Sequence, residues 1–239
     1  MEAFREAEAI QAEDQPQYPR LYSRQSFRFC NLLLGCAEPG DGSELDGLSR
    51  RASRPKEVEQ FRQTCQVVLD RGRQFLHENE TSDYLLDIAL NHFTLARAYL
   101  GLVLTTPQPP VSGEERIAEF DQVAEHLNRA VVGLRQAGRE DYLPRGLLAR
   151  AALQRLYSNF AGAGADLTEA LEIAERGRMR LYECDAHLEW ARLCRDQGDF
   201  ATARRHVARA RELVNETGYG RREREVRWLE ETLAEGAKT

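Results

Sequence analysis

Lysine is almost missing from this chain: thirty-one of its thirty-three basic residues are arginine, with Lys56 and Lys238 the exceptions. Biased codon usage accounts for such a skew, so the arginines alone assign no function. There is no uninterrupted run of eighteen apolar residues, so no membrane span is expected. Met1-Glu2-Ala3-Phe4-Arg5-Glu6 is acidic and helical where a signal peptide would be basic and then apolar. Cytoplasmic residence is the resulting expectation. No CxxC pair occurs, and the five cysteines (Cys30, Cys36, Cys65, Cys184, Cys194) are odd in number and scattered. Cys184 and Cys194 stand ten residues apart in one predicted helix, about 15 Å along its axis, too far to bridge. Free buried or half-buried thiols in a reducing compartment are expected.

Catalytic signatures are equally absent. The sequence holds no GxSxG, no Walker-type glycine loop, no HExxH and no dinucleotide fingerprint. Gly162-Ala163-Gly164 follows no strand, so it makes no phosphate cradle. No catalytic residue, cofactor or metal is assigned, and a non-enzymatic chain is expected. A net charge of −6 opposes general nucleic-acid binding, which needs a positive field. Cys184 and His187 lie one turn apart, with Cys194 and His206 as further candidates, but no compact set of four zinc ligands forms. His77, His92 and His126 read as isolated surface or packing residues. Trp190, Tyr157, Tyr182 and Trp228 fall at helical spacing and read as filler between helices.

What the sequence does hold is helix. Ala, Leu, Arg and Glu dominate, and no period-two strand pattern appears. Glycine and proline divide the chain into about ten predicted helices, at 2–13, 18–36, 55–79, 82–104, 114–137, 141–158, 160–177, 179–197, 200–217 and 221–235. Pro16 and Pro19 separate the first two. Pro55 suits a first turn, and Ser82 suits an N-cap. Ser112 with Glu115 forms a capping box. Gly198 ends one helix and Asp199 caps the next. Residues 37–54 and 105–113 are longer polar or proline-rich loops within hairpins, and the tail from Gly236 is expected to fray.

Self-comparison at a shift of forty residues aligns Leu148 with Leu188, Ala151 with Ala191 and Phe160 with Phe200. The second helices follow: Ala163, Leu167, Ala170 and Ile173 align with Ala203, Val207, Ala210 and Leu213. Forty residues earlier stand Phe120, Val123, Leu127 and Ala130. The first helix belonging to that segment, with Leu95-Ala96-Arg97-Ala98-Tyr99, aligns at fifty-five, the proline-rich insertion supplying the extra length. An earlier hairpin joins 18–36 to 55–79, with Ser26 at the small position. Small residues recur where helices must approach, large ones where a gap must be filled.

Ala191, Gly198-Asp199-Phe200, Ala203 and Ala210 resemble the tetratricopeptide repeat signature. The unit before departs at its turn, Ser158-Asn159-Phe160. The aromatic late in the first helix is Tyr99 in one unit but Gln154 and Cys194 in the later two. The resemblance implies an all-α, right-handed solenoid of antiparallel helix hairpins. Its segments would be 1–15 (second helix of a truncated repeat), 16–80, 81–138, 139–178 and 179–218 (hairpins) and 219–239 (cap and tail). The texture is also similar to the C-terminal repeat arrays of bacterial multidomain signalling ATPases. The last helix places Val226, Leu229 and Leu233 on one face, with Arg221, Arg222, Arg224, Glu230 and Glu231 elsewhere.

Solenoids of this kind bind along the row of first helices. Asp185, Leu188, Arg192 and Arg195 form one stripe, beside a packing stripe of Cys184, His187, Ala191 and Cys194. Arg145, Leu148, Ala152 and Arg155 match it forty residues earlier. Arg97 is the equivalent of Arg192 in the hairpin before, and Arg20, Ser23 and Asn31 line the first. One reading is a groove gripping a carboxylate-bearing or acidic peptide. The other is solvated arginines paired with neighbouring Asp and Glu on adjacent helices. The expected function is a protein-interaction scaffold; the alternative is a sensor or regulatory domain of a larger signalling ATPase. Self-association through an uncovered face of the first helix is a further expectation.

Overall fold

The structure, a computed structural model, describes residues 2–16, 19–21, 23–37, 55–79, 84–105 and 113–235. Among the described residues every regular element is helical. The helices are α1 (Glu2–Asp14), α2 (Ser23–Ala37), α3 (Pro55–Glu78), α4 (Leu85–Thr105) and α5 (Gly113–Gln136). They continue with α6 (Leu143–Leu156), α7 (Phe160–Arg176), α8 (Arg180–Asp196), α9 (Phe200–Thr217) and α10 (Glu223–Glu235), the last preceded by a 3₁₀ turn at Gly220–Arg222. Of the predicted loops 37–54 and 105–113, Ala37, Thr105 and Gly113 belong to helices; the remainder, with the caps Ser82 and Ser112, lies outside the described residues. The chain divides into two compact units, α1 to α5 and α6 to α10.

The predicted boundaries hold to within a few residues, and each difference has a cause. The second helix begins at Ser23 rather than at 18, after Pro19. Just before it, the Leu21 N–H is taken by the Glu8 side chain at 3.1 Å. The sixth begins at Leu143 because Pro144, which lacks an N–H, is accommodated only in a first turn.

In the second unit the chain reverses by one device, used repeatedly. Residues with left-handed backbone stand at Gly138, Ser158, Arg178, Gly198 and Gly218, one every twenty residues. At the three middle turns the N–H of that residue bonds the carbonyl three back. The next N–H bonds the carbonyl five back. All six bonds measure 2.8–3.1 Å. These bonds satisfy the carbonyls that a helix C-terminus leaves open. The following residue caps the next helix: Asn159 Oδ1 accepts from the Gly162 N–H at 3.2 Å and Asp199 Oδ1 from the Thr202 N–H at 3.0 Å. Met179, at the same place, supplies no side-chain cap. Hydrogen bonds from Thr202 hold the Asp199 carboxyl below its ordinary range. The forty-residue sequence period is thus two helices of one twenty-residue backbone module.

Small residues then let these helices close on one another. Ala151, Ala163, Ala170, Ala191, Ala203 and Ala210 are all fully buried. Around them lie Leu167, Leu188, Leu193, Val207 and Leu213, with Trp190 and Phe200 partly buried at the margin. α6 packs on α7 and on α8; α8 packs on α6, α7, α9 and α10. On α10, Val226, Leu229 and Leu233 are buried as the amphipathic pattern requires, with Arg224, Glu230 and Glu231 exposed, as is Arg221 in the 3₁₀ turn before it.

The first unit uses longer helices and larger side chains. Phe61, Cys65, Val68 and Leu69 of α3 meet Cys30 and Leu34 of α2 and Leu95 and Ala98 of α4. Gly101 of α4 lies so close to α3 that a Cβ there would come within 2.6 Å of Cys65 Sγ. Gly133 of α5 similarly leaves room for Ala89 of α4. α4 is, among the described residues, the one helix long and apolar enough to cross a membrane, with mean hydropathy 1.2. Asp87, Asn91, His92 and Arg97 interrupt it, so its sequence holds no unbroken apolar run of that length. Its apolar character has a structural use, since it is packed on both α3 and α5.

Candidate interaction surface

The predicted stripe on α8 does fall on one side of that helix, but most of it faces protein. Arg192 and Leu188 are buried, as is Arg155 on α6. The stripe assigned to packing behaves as expected: Cys184, Ala191 and Cys194 are buried and His187 is half-buried. Burial pushes the Cys184 thiol up to about 12, so it stays protonated.

The buried charges form a chain across three helices. Arg155 Nε donates to Glu189 Oε1 at 2.8 Å and its Nη1 to Asp196 Oδ2 at 2.5 Å. Glu189 also accepts from Arg192 Nη1 at 2.9 Å. Arg192 Nη2 donates to Glu225 of α10. Glu225 accepts in turn from Arg222 Nη1 at 2.7 Å, and Arg222 Nε donates to Asp185 Oδ1 at 2.7 Å. Arg195 adds a bond to Asp196 at 2.9 Å and lies 5.5 Å from the Trp228 ring centroid. Four arginines therefore meet four carboxylates. Burial disfavours the Arg222 charge, but Asp185 and Glu225 beside it more than offset that, and its basicity rises well above normal. Taking such charges out of water costs several kcal/mol per ion unless each is paired, which these are. Pairing with Asp and Glu of adjacent helices is the second of the two alternatives raised from sequence, with burial in place of solvation. Arg222, read from sequence as part of a polar back, is instead a member of this chain.

The remaining candidate residues divide between the two units. Arg145, on α6, donates from Nε to the Tyr182 hydroxyl at 3.1 Å. In the first unit Arg97 donates to Asn31 Oδ1, joining α4 to α2. Arg20 is exposed and donates to Gln74 Oε1 at 3.0 Å. The Ser23 side chain lies outside the described residues. The structure thus joins Arg155, Asp185, Arg192 and Arg195 in one network, joins Arg97 to Asn31, and sets Arg20, just before α2, against Gln74 of α3.

No family model matches the chain, and no curated protein is similar enough in sequence to be counted a relative.

Two features escaped the sequence reading. His92 and His126 are not isolated: their Nδ1 atoms lie 2.8 Å apart and Tyr99 stacks on His126. His187 and His206 repeat the arrangement at 2.9 Å, with Trp190 stacked on His206. One Nδ1 must carry a proton and the other accept it. Burial, then the neighbouring histidine, lowers both His92 and His187 to about 4. A signal was present: the offsets that align the hairpins carry His92 onto His187 and His126 onto His206. In the hairpin between, the same places hold Leu147 and Asp166, with Arg150 where Trp190 stands. There Arg150 grips Asp166 with two bonds of 2.7 Å. Among the described residues no group of three or more His, Cys, Asp or Glu could hold a metal ion.

The other feature is Arg71, on α3. Its guanidinium lies 4.9 Å from the Phe29 ring centroid and donates to both carboxylate oxygens of Glu8 from α1. Neither Arg71 nor Phe29 belongs to a repeat pattern visible in sequence.

Proposed function

We propose that this chain is a non-catalytic protein-interaction scaffold built from tetratricopeptide-like hairpins stacked as a right-handed solenoid. In this reading a peptide or protein partner, acidic in character, lies along the row of first helices α6, α8 and α10. The observation that carries it is the alignment of those helices. The cross-helix chain from Arg155 through Arg192 to Arg222 fixes them side by side. Stacked hairpins present an extended surface of that kind because each alone buries too little. Arg145 and Arg195, half-buried at the margin of the row, supply guanidinium chemistry suited to carboxylates. The four buried free thiols Cys30, Cys65, Cys184 and Cys194 suit a reducing cytoplasm.

The test is selection of binders from a random peptide library, followed by hydrogen exchange with the enriched peptide. Enrichment of acidic sequences that protect α6, α8 and α10 supports the proposal. No enrichment, or protection confined to the second helices α7 and α9, contradicts it.

A further inference from the structure

α1 differs from every other helix in how it is held. None of its thirteen residues is buried, and Ile10 is 54% exposed. A helix of that length is marginal on its own in water, and here no buried apolar face compensates. It is attached at two points one turn apart. Phe4 stacks on Phe29 of α2, with centroids 5.2 Å apart and planes 19° apart. Glu8 receives Arg71 through both terminal nitrogens, and also accepts the Leu21 N–H at 3.1 Å.

The receiving surface is built differently. Phe29 is buried, and the Arg71 side chain is nine-tenths buried, its guanidinium over that ring. Its Nε is buried with no hydrogen-bond partner, an incomplete accommodation by the surrounding protein. A planar guanidinium stacked on an aromatic and presenting two N–H groups is a preorganised carboxylate receptor. A shallow recess lined by Leu21, Ser26, Arg71 and Phe75 adjoins it. The ligand now seated carries five acidic residues and one basic one. The buried part of this contact is therefore the receptor on α2 and α3, and the exposed part, held at two points, is the helix.

We infer that Phe29 and Arg71 form a docking site for an acidic helical segment of a partner protein, one bearing an aromatic residue and a carboxylate four positions later. α1 is the resident competitor that covers the site until such a segment displaces it. This goes beyond the scaffold reading by adding a second place of carboxylate recognition, at α2 and α3, while the test above concerns α6, α8 and α10, so either can fail alone.

The experiment uses the full chain and a fluorescent synthetic peptide spanning Glu2 to Asp14. In the chain carrying F4A and E8Q the resident helix is disarmed. The peptide should bind that chain about tenfold or more tightly than the wild type, because the tethered competitor is lost. A peptide itself carrying E8Q should bind about tenfold or more weakly, having lost charge-assisted bonds. R71Q in the disarmed chain should abolish binding, with circular dichroism checking that the helices persist. The peptide variant decides the matter if R71Q fails to fold. Equal affinity for wild-type and disarmed chains, or indifference to E8Q in the peptide, overturns the inference. So does concentration-dependent dimerisation of the wild type that F4A and E8Q abolish, because the helix would then serve a second copy of the chain.

Discussion

The two units solve one packing problem in different ways. In α6 to α10 a single backbone module recurs every twenty residues, alanines sit at the contacts, and a chain of buried ion pairs crosses from first helix to first helix. In α2 to α5 the helices are mostly longer, glycines take the place of alanines at the closest approaches, and aromatic rings and thiols fill the core. What both retain is a histidine pair at equivalent repeat positions, each with an aromatic stacked upon it. Position in the repeat fixes the geometry, and the residues placed there are free to vary in chemistry. The Arg150–Asp166 pair at the corresponding place in the intervening hairpin makes the same point.

The comparison breaks most easily at the buried charges. Arg155→Ala leaves Glu189 buried without that partner and should cost about 3–5 kcal/mol of stability in urea unfolding. The same change at Arg20, exposed in the first unit, should cost almost nothing.

Next in size are the close approaches. Ala210→Leu in the second unit and Gly101→Ala in the first both force atoms into occupied space, and each should cost about 1–3 kcal/mol. For Gly101 the Cys65 thiol and the Phe61 ring are the groups that must move. Thermal melts of the two variants would show whether glycine and alanine interfaces are equally tight.

A smaller effect follows from the histidine pairs. The folded chain holds His92 and His187 at about 4, below the ordinary 6.5, so the unfolded chain binds those protons more readily. Stability is then full above pH 6.5 and declines as pH falls from 6.5 toward 4. Melting temperature should follow that course. His187→Leu, which copies Leu147 of the preceding hairpin, should remove part of the decline.

The smallest effect is at the turns. Arg178→Gly relieves a left-handed backbone that a side chain disfavours and should add up to about 1 kcal/mol. Gly198→Ala at the matching turn should remove a similar amount.

These residues also show how far the sequence could be read. Helix positions, the alanine contacts, the Asp199 cap and the buried face of α10 were legible because each follows from local chemistry or from period. The left-handed Ser158 and Arg178 were not, because neither residue type favours that conformation; the repeat imposes it. The burial of Arg155 and Arg192 was hidden for a different reason. A charged residue on a first helix reads the same whether it faces solvent or a carboxylate thirty-three residues away. His92 and His126 could have been paired by extending the hairpin alignment to polar residues. The Glu8 grip on Arg71 joins residues outside any repeat, so periodicity carried no trace of it.

The account rests on α8 and α10 lying side by side, joined through Arg192 and Glu225. A double-mutant cycle with R192A, E225A and the combined variant, read by urea unfolding, measures that contact directly. A coupling of about 1–3 kcal/mol is predicted for a buried, hydrogen-bonded pair. Additive losses, with coupling under about 0.3 kcal/mol, would mean the two side chains do not meet and would contradict the stacking of first helices.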